Sequence, residues 1–230
     1  LIQAVDVEKT YPDGTAALQG LNLSVERGEM LLIRGPSGAG KTTLFRLILG
    51  MERPTSGAVF IDDQRIDANN PGRVRALRRR VGVIFQNFRL IKGRTARENV
   101  EIGLRVLGVT GGHMRGRAEE YLRELDLAHR IDARVDSLSW GEQQRVAVAR
   151  ALAREPEIIL ADEPTGNLDE ALSDRVLELL SRVRERGATV LVAIHSPDVL
   201  RKTALRVISL KSGRLVGDTH PPAQKERSRS

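Results

Sequence analysis

One stretch limits the folds open to this chain more than any other: Gly35-Pro36-Ser37-Gly38-Ala39-Gly40-Lys41-Thr42-Thr43. It follows an apolar run at 30–33 and opens an apolar-periodic segment at 44–49, which reads as strand, glycine-rich turn, helix. In the spacing G-x-x-x-x-G-K-[ST], the glycines let successive backbone N–H groups turn inward and form a concave anion nest. The helix behind it adds the positive end of its dipole. Lys41 is placed to reach the β- and γ-phosphates of a nucleotide, and the Thr42 hydroxyl to ligate Mg²⁺. An ordinary strand-to-helix turn is the plainer reading; the full spacing with both flanks favours a phosphate-binding P-loop.

With 230 residues, 40% of them hydrophobic, the chain can bury one large core or two small ones. Cysteine is absent, which excludes a disulfide framework and thiolate metal sites. Residues 1–5 lack the basic and long apolar regions of a signal peptide. The longest apolar runs, such as 190–194, fall far short of the ~20 residues that span a bilayer. The expectation is a cytoplasmic protein that forms no membrane pathway alone. The net charge of +7 and the basic run at 73–80 invite a nucleic-acid reading. Nucleic-acid modules, however, pair basic patches with stacking aromatics, and here aromatics are 3% with none between Gln64 and Ile84. A solvated basic face, or one near anionic headgroups, fits better, and no nucleic-acid partner is expected.

Apolar alternations at 2–7, 18–25 and 58–61 are bounded by short turns at 12–14, 27–29 and 52–57, so an antiparallel sheet is the natural reading for these early strands. A basic helix at 74–80 precedes a strand at 81–85. Helical periods follow at 98–107, 113–125 and 141–153, with Gly111-Gly112 separating the first two. Strand signals return at 157–161, 189–194 and 206–210, with a helix at 171–186 between. That alternation argues for a parallel sheet continuing the one that carries the P-loop. The polar, Pro-containing segment 219–230 reads as a disordered basic tail.

Two further stretches carry chemistry. Ile158-Ile159-Leu160-Ala161-Asp162-Glu163 is an apolar strand that delivers two carboxylates at its C-terminal end, where an α/β sheet places ligand-contacting groups. Asp162 fits a metal-holding role and Glu163 a general base or water-orienting one. Leu138-Ser139-Trp140-Gly141-Glu142-Gln143-Gln144-Arg145 begins with a capping box, Ser139 followed three residues on by Glu142. A helix starting there is itself an anion site. This stretch also resembles the signature sequence of ABC ATPases, LSGGQ or LSGGEQ.

The resemblance covers residues 1–217, with the family's motifs in their usual order. It implies an α/β fold of the P-loop NTPase class: a mixed, largely parallel core sheet, an N-terminal antiparallel β subdomain and a helical insert. One nucleotide-binding domain is expected over 1–218, with the insert at about 88–153. The resemblance further implies that Tyr11 stacks on adenine and that Gln86 senses Mg²⁺ and the γ-phosphate. It gives Asp169, in Asn167-Leu168-Asp169, a role across a dimer, and makes His195 the switch residue on the γ-phosphate. Pro36, Ser37, Gly38, Ala39, Gly40 and Thr43 belong to the phosphate loop, and Ser139, Gly141, Glu142 and Gln143 to the signature. The implied ligands are ATP and Mg²⁺, the ion held by Thr42, Gln86 and Asp162. Trp140 stands where the first signature glycine is usual, and Ser196 where an Asp usually follows the switch histidine. Because ATP in this family is sandwiched between the P-loop of one subunit and the signature of another, a head-to-tail homodimer is expected.

Within the family, segments 50–57, 94–100 and 163–169 resemble the cell-division branch, the FtsE type. That branch works with an FtsX-like integral membrane partner at the inner face of the cell membrane and regulates cell-wall hydrolysis. Residues 86–100 are then expected to form the groove that receives a partner helix. Lipoprotein-releasing and macrolide exporters share part of this wording and are the alternative. A soluble ABC protein acting on nucleic acid fits less well. Residues 41–139 carry no sustained heptads for the long coiled coil of the repair members, and the chain has one nucleotide-binding unit where translation members have two.

Overall fold

The computed structural model describes residues 1–194 and 205–219. The chain opens with β1 (Ile2–Thr10), β2 (Ala16–Val25) and β3 (Met30–Arg34), then α1 (Lys41–Ile48). Next come β4 (Ser56–Ile61), β5 (Gln64–Arg65), α2 (Pro71–Arg80) and β6 (Val81–Ile84). Three helices follow, α3 (Ala96–Arg105), α4 (Gly111–Glu124) and α5 (Trp140–Leu152). The chain then returns through β7 (Ile158–Asp162), α6 (Glu170–Glu185), β8 (Thr189–Ile194), β9 (Arg206–Lys211) and β10 (Arg214–Asp218).

The strands make two sheets. One is antiparallel, in the order β2-β1-β4-β5; the other runs β10-β9-β3-β8-β7-β6. Every pairing in the second is parallel except the β9–β10 hairpin at its edge. Its central strands β7 and β8 are buried at every position, as expected where both faces of a parallel sheet are covered. The two-residue side-chain period divides them between two cores. Leu31, Ile33, Ile158, Leu160 and Leu191 pack against α1 and the antiparallel sheet, beside Leu44, Ile48, Leu21 and Val59. Met30, Leu32, Ile159, Val190 and Val192 pack on the other side against Val100, Leu122, Val148, Leu152 and Leu180.

This topology gathers the expected site residues at one edge. Arg34 pairs with Ile194, Asp162 with Ala193 and Ile84 with Ala161. The described residues that follow these strand ends, Gly35, Glu163 and, two beyond Ile84, Gln86, therefore leave the sheet at its C-terminal end. His195 and Ser196 lie outside the described residues, as does the expected tail from 220 onward.

Local differences from the sequence reading have physical causes. The basic helix starts at Pro71, not 74, because Asn70 caps it by accepting from the Arg73 N–H at 3.1 Å, with Pro in the first turn. Gly111 and Gly112 form the first turn of α4 rather than a break before it. Single 3₁₀ turns occupy Ala128–Arg130 and Val135–Ser137. β10 was not expected at all: none of its residues is buried, so its sequence lacks a core-facing apolar stripe. No helix among the described residues is long and apolar enough to cross a membrane.

Candidate nucleotide-binding site

The glycine-rich turn is shaped for close approach. Gly40 opens α1 at φ +103°, and a Cβ there would press on the Ala17 carbonyl and the Leu18 side chain. A Cβ at Gly35 would run into the Leu210 carbonyl oxygen and the Ala39 methyl. The turn is closed by Ala39 N–H donating to Pro36 O at 3.2 Å. No side chain caps α1, and its first turn holds no acid, so its leading N–H groups are left for a ligand. Behind the turn, Lys41 is 5% exposed, and its Nζ donates to Gly35 O at 2.7 Å and Pro36 O at 3.1 Å. Burial pushes the Lys41 ammonium below its ordinary range, against the pull of Glu163 and Asp162. A buried ammonium resting on neutral carbonyls is matched to an incoming polyanion.

The acids stand opposite. Asp162, 6% exposed, accepts from the Thr42 hydroxyl at 2.7 Å. Burial raises its carboxyl above the usual range; the Thr42 bond lowers it and the Glu163 charge raises it further. Glu163 follows in the left-handed region at φ +52°, unusual for a side-chain-bearing residue and frequent at functional sites. Its N–H donates to Ala193 O at 3.0 Å, and Gln86 Nε2 donates to its Oε2 at 3.1 Å. Among the described residues no cluster of three or more His, Cys, Asp or Glu side chains could hold a metal. Thr42, Asp162 and Gln86 offer hard oxygen donors of the kind Mg²⁺ takes when phosphate and water complete its octahedron. That donor set fits a nucleotide-borne Mg²⁺ and not a dedicated protein cage.

Tyr11 reaches the same region from the end of β1. Its hydroxyl donates to Glu52 Oε2 at 2.9 Å and lies 3.2 Å from Thr43 Oγ1.

The signature stretch forms the expected capping box. The Glu142 N–H donates to Ser139 Oγ at 3.3 Å, and the Ser139 N–H to Glu142 Oε2 at 2.8 Å. That backbone bond holds the Glu142 carboxyl below its usual range, helped by Arg130. Gln143 donates to Leu138 O at 3.0 Å. Trp140 is 67% exposed, its ring edge-to-face with Phe88 at 5.4 Å. Asp169 caps α6 by accepting from Leu172 N–H at 2.9 Å. Thus Lys41, Thr42, Gln86, Asp162 and Glu163 come together, with Tyr11 beside them. Among the described residues, no hydrogen bond or ion pair joins 139–143 or Asp169 to 35–43.

Two α5 side chains escaped the sequence reading. Gln144 is 2% exposed; its Nε2 donates to Glu163 O at 2.9 Å, and its Oε1 accepts from Asn167 N–H at 3.2 Å. Arg150 donates to Phe88 O at 2.6 Å and Arg89 O at 2.7 Å, clamping a turn whose residues sit at φ +56° and +48°. Burial and the neighbouring Arg154 push the Arg150 guanidinium down to about 10, still a cation at neutral pH. The available signal for Gln144 was its place on the stripe it shares with Ala147, Val148 and Ala151, where a polar residue needs partners.

Comparison with known proteins follows the same lines. The family model described as ABC transporter matches residues 18–166. The cell division ATP-binding protein FtsE of Escherichia coli K12 is 40% identical over 217 residues, 94% of this chain and 98% of that protein. FtsE of Bacillus subtilis is 37% identical over 218 residues, 95% and 96% of the two chains. Among solved structures, the dimeric ABC transporter cassette MJ0796 superimposes with a TM-score of 0.89 at 39% identity, covering 95% of this chain and 97% of that one.

Proposed function

The chain belongs to the ABC transporter family of ATPases, and we propose that it is the ATP-hydrolysing subunit of a membrane complex acting in bacterial cell division. The observation that carries this reading is the convergence of Lys41, Thr42, Gln86, Asp162 and Glu163 at one sheet edge. It occurs in a chain similar to FtsE over nearly the full length of both proteins.

In this reading the β- and γ-phosphates of ATP enter the nest of residues 35–43, where Lys41 exchanges its carbonyl partners for phosphate oxygens. Tyr11 packs on the adenine. Thr42, Asp162 and Gln86 hold Mg²⁺, which when bound neutralises charge building on the β- and γ-phosphate oxygens. Glu163 polarises the water that attacks the γ-phosphorus, and Gln86 holds its carboxylate in place. His195, the next residue in sequence after Ile194, takes the switch role on the same γ-phosphate that the family resemblance gives it. The start of α5 has no bond to the P-loop of its own chain, and the MJ0796 cassette is described as dimeric. Both facts support a head-to-tail homodimer, in which Ser139, Gly141, Glu142 and Gln143 of one copy, with Asp169, close over ATP held by the other.

The membrane partner is an FtsX-like protein, and the subunit works at the cytoplasmic face of the cell membrane. Its docking groove lies beside the Phe85–Arg89 turn. A cavity of about 370 Å³ there is lined by Met51, Val83, Phe85, Arg89, Gly103 and Arg150, and it shares Arg78, Gly103 and Arg154 with a second cavity of about 590 Å³ along α2. The test is co-expression with the membrane protein of the adjacent reading frame, followed by co-purification and an ATPase assay. Co-purification with altered turnover is expected. Strong stimulation by DNA or RNA without capture of a membrane partner would overturn the reading.

A further inference from the structure

We infer that Gln144 is a positioning residue: it registers Glu163 and the 163–167 turn against the helix that presents Ser139 and Gly141, and so links the two ATP sites of the dimer. The inter-site part rests on the head-to-tail reading above; the positioning of Glu163 does not.

The Gln144 amide bonds through both its nitrogen and its oxygen, and both partners are backbone groups of one turn. Its donor goes to the Glu163 carbonyl and its acceptor takes the Asn167 N–H. The same turn is closed internally by Gly166 N–H donating to Glu163 O at 3.2 Å. Glu163 holds a left-handed backbone with a full side chain attached, a conformation that persists only where its surroundings over-determine it. Two elements do so: β8, through the Ala193 carbonyl on the Glu163 N–H, and α5, through Gln144 on the Glu163 carbonyl. Rotating that peptide would swing the carboxylate away from Gln86, which it meets at 3.1 Å.

The helix bears on this turn at a second point. Gly141, one turn before Gln144, lies so near that a Cβ would stand 3.2 Å from the Asn167 carbonyl oxygen. A shift of the first turn of α5 relative to β7 is therefore transmitted to the turn from Glu163 to Asn167, since close-packed groups have no slack to absorb it. In the dimer, Ser139 and Gly141 face ATP bound by the other copy, while Glu163 faces ATP bound by its own. Gln144 sits between the two.

The test compares Gln144→Leu, which keeps the volume and removes both hydrogen bonds, with Gln144→Glu, which keeps the acceptor for Asn167 and loses the donor to Glu163. Three readouts are needed: kcat against KM for ATP, the Hill coefficient for ATP, and the Glu163→Gln background. Gln144→Leu should lower kcat by about tenfold, leave affinity for a non-hydrolysable ATP analogue within about twofold, and bring the Hill coefficient towards one. Gln144→Glu should show a similar kcat loss, because the donor to Glu163 is gone. In the Glu163→Gln background neither change should lower residual turnover further, because Gln144 acts through Glu163. The inference is overturned if both variants keep kcat within twofold, or if the loss recurs undiminished without the Glu163 carboxylate. A wild-type enzyme that never dimerises would overturn the dimer reading instead, leaving the kcat comparison to judge the positioning of Glu163.

Discussion

The two helices that begin at the functional face start in opposite ways. α1 opens at a left-handed glycine, with no side-chain cap and no acid in its first turn. α5 opens with a reciprocal capping box and Glu142 in its first turn, and that carboxylate is tied in turn to Arg130 at 3.1 Å. Every helix start leaves backbone donors unpaired and a partial positive charge exposed. α5 satisfies two donors itself, and capping of this kind stabilises a helix by about 1 kcal/mol. α1 leaves them beside a buried ammonium, a combination that is completed by an anion. The contrast matches the proposed half-sites: under that proposal α1 binds phosphate on its own account, whereas α5, already capped, joins only when a phosphate is brought to Ser139 and Gly141.

The largest effect expected from that contrast is at Lys41. Lys41→Ala removes the one buried cation of the P-loop, and nucleotide affinity, read by titration of a fluorescent ATP analogue, should fall by about 100-fold or more. Affinity kept within tenfold would erase the distinction between the two helix starts.

A smaller effect is expected at Trp140, the chain's one tryptophan. Its exposed ring stands at the start of α5 and costs the loop a flexible glycine, while its edge-to-face contact with Phe88 contributes about 0.5–1.5 kcal/mol. Trp140→Gly should lower the melting temperature by a few degrees and raise kcat roughly threefold by easing closure. An unchanged or lower kcat would show that the ring does not obstruct the partner.

The smallest effect concerns the bracing of the helical region that carries α5. Glu119 of α4 accepts from Arg115 at 2.9 Å and Arg123 at 2.7 Å, and these bonds hold its carboxyl down to about 2 from an ordinary 4.5. A depressed carboxylate contributes stability that is present above its unfolded value and lost as pH falls through its folded one. Acid titration of the melting temperature should therefore show a decline between about pH 4.5 and pH 2 that is shallower in Glu119→Gln. Identical profiles would mean that salt and solvent screen the cluster completely.

Much of the site was legible because its chemistry is local in sequence. Gly35 to Thr43, the strand delivering Asp162 and Glu163, and the Ser139–Glu142 box are contiguous patterns whose spacing dictates backbone geometry. The eighth strand, 189–194, fell where expected because a buried parallel strand is an unbroken apolar run. The partners of Gln144 and Arg150 were not legible, although the apolar stripe around Gln144 marked it as a residue that needs them. A glutamine or arginine within a helix reads as solvated until the fold reveals which backbone carbonyls it faces. β10 was hidden for the opposite reason, being held by pairing with β9 rather than by burial. Nor could any local pattern show that Ser139 and Gly141 make no bond to their own P-loop; that is a property of the assembled chain.

The central claim is that the P-loop of one chain is half of an ATP site. Its most direct test is the mass of the Glu163→Gln variant by light scattering, with and without ATP and Mg²⁺. The account predicts a 25.4 kDa monomer that doubles its mass on ATP addition and keeps it, because closure proceeds and hydrolysis does not reopen it. A variant that binds ATP and remains at 25.4 kDa would contradict it.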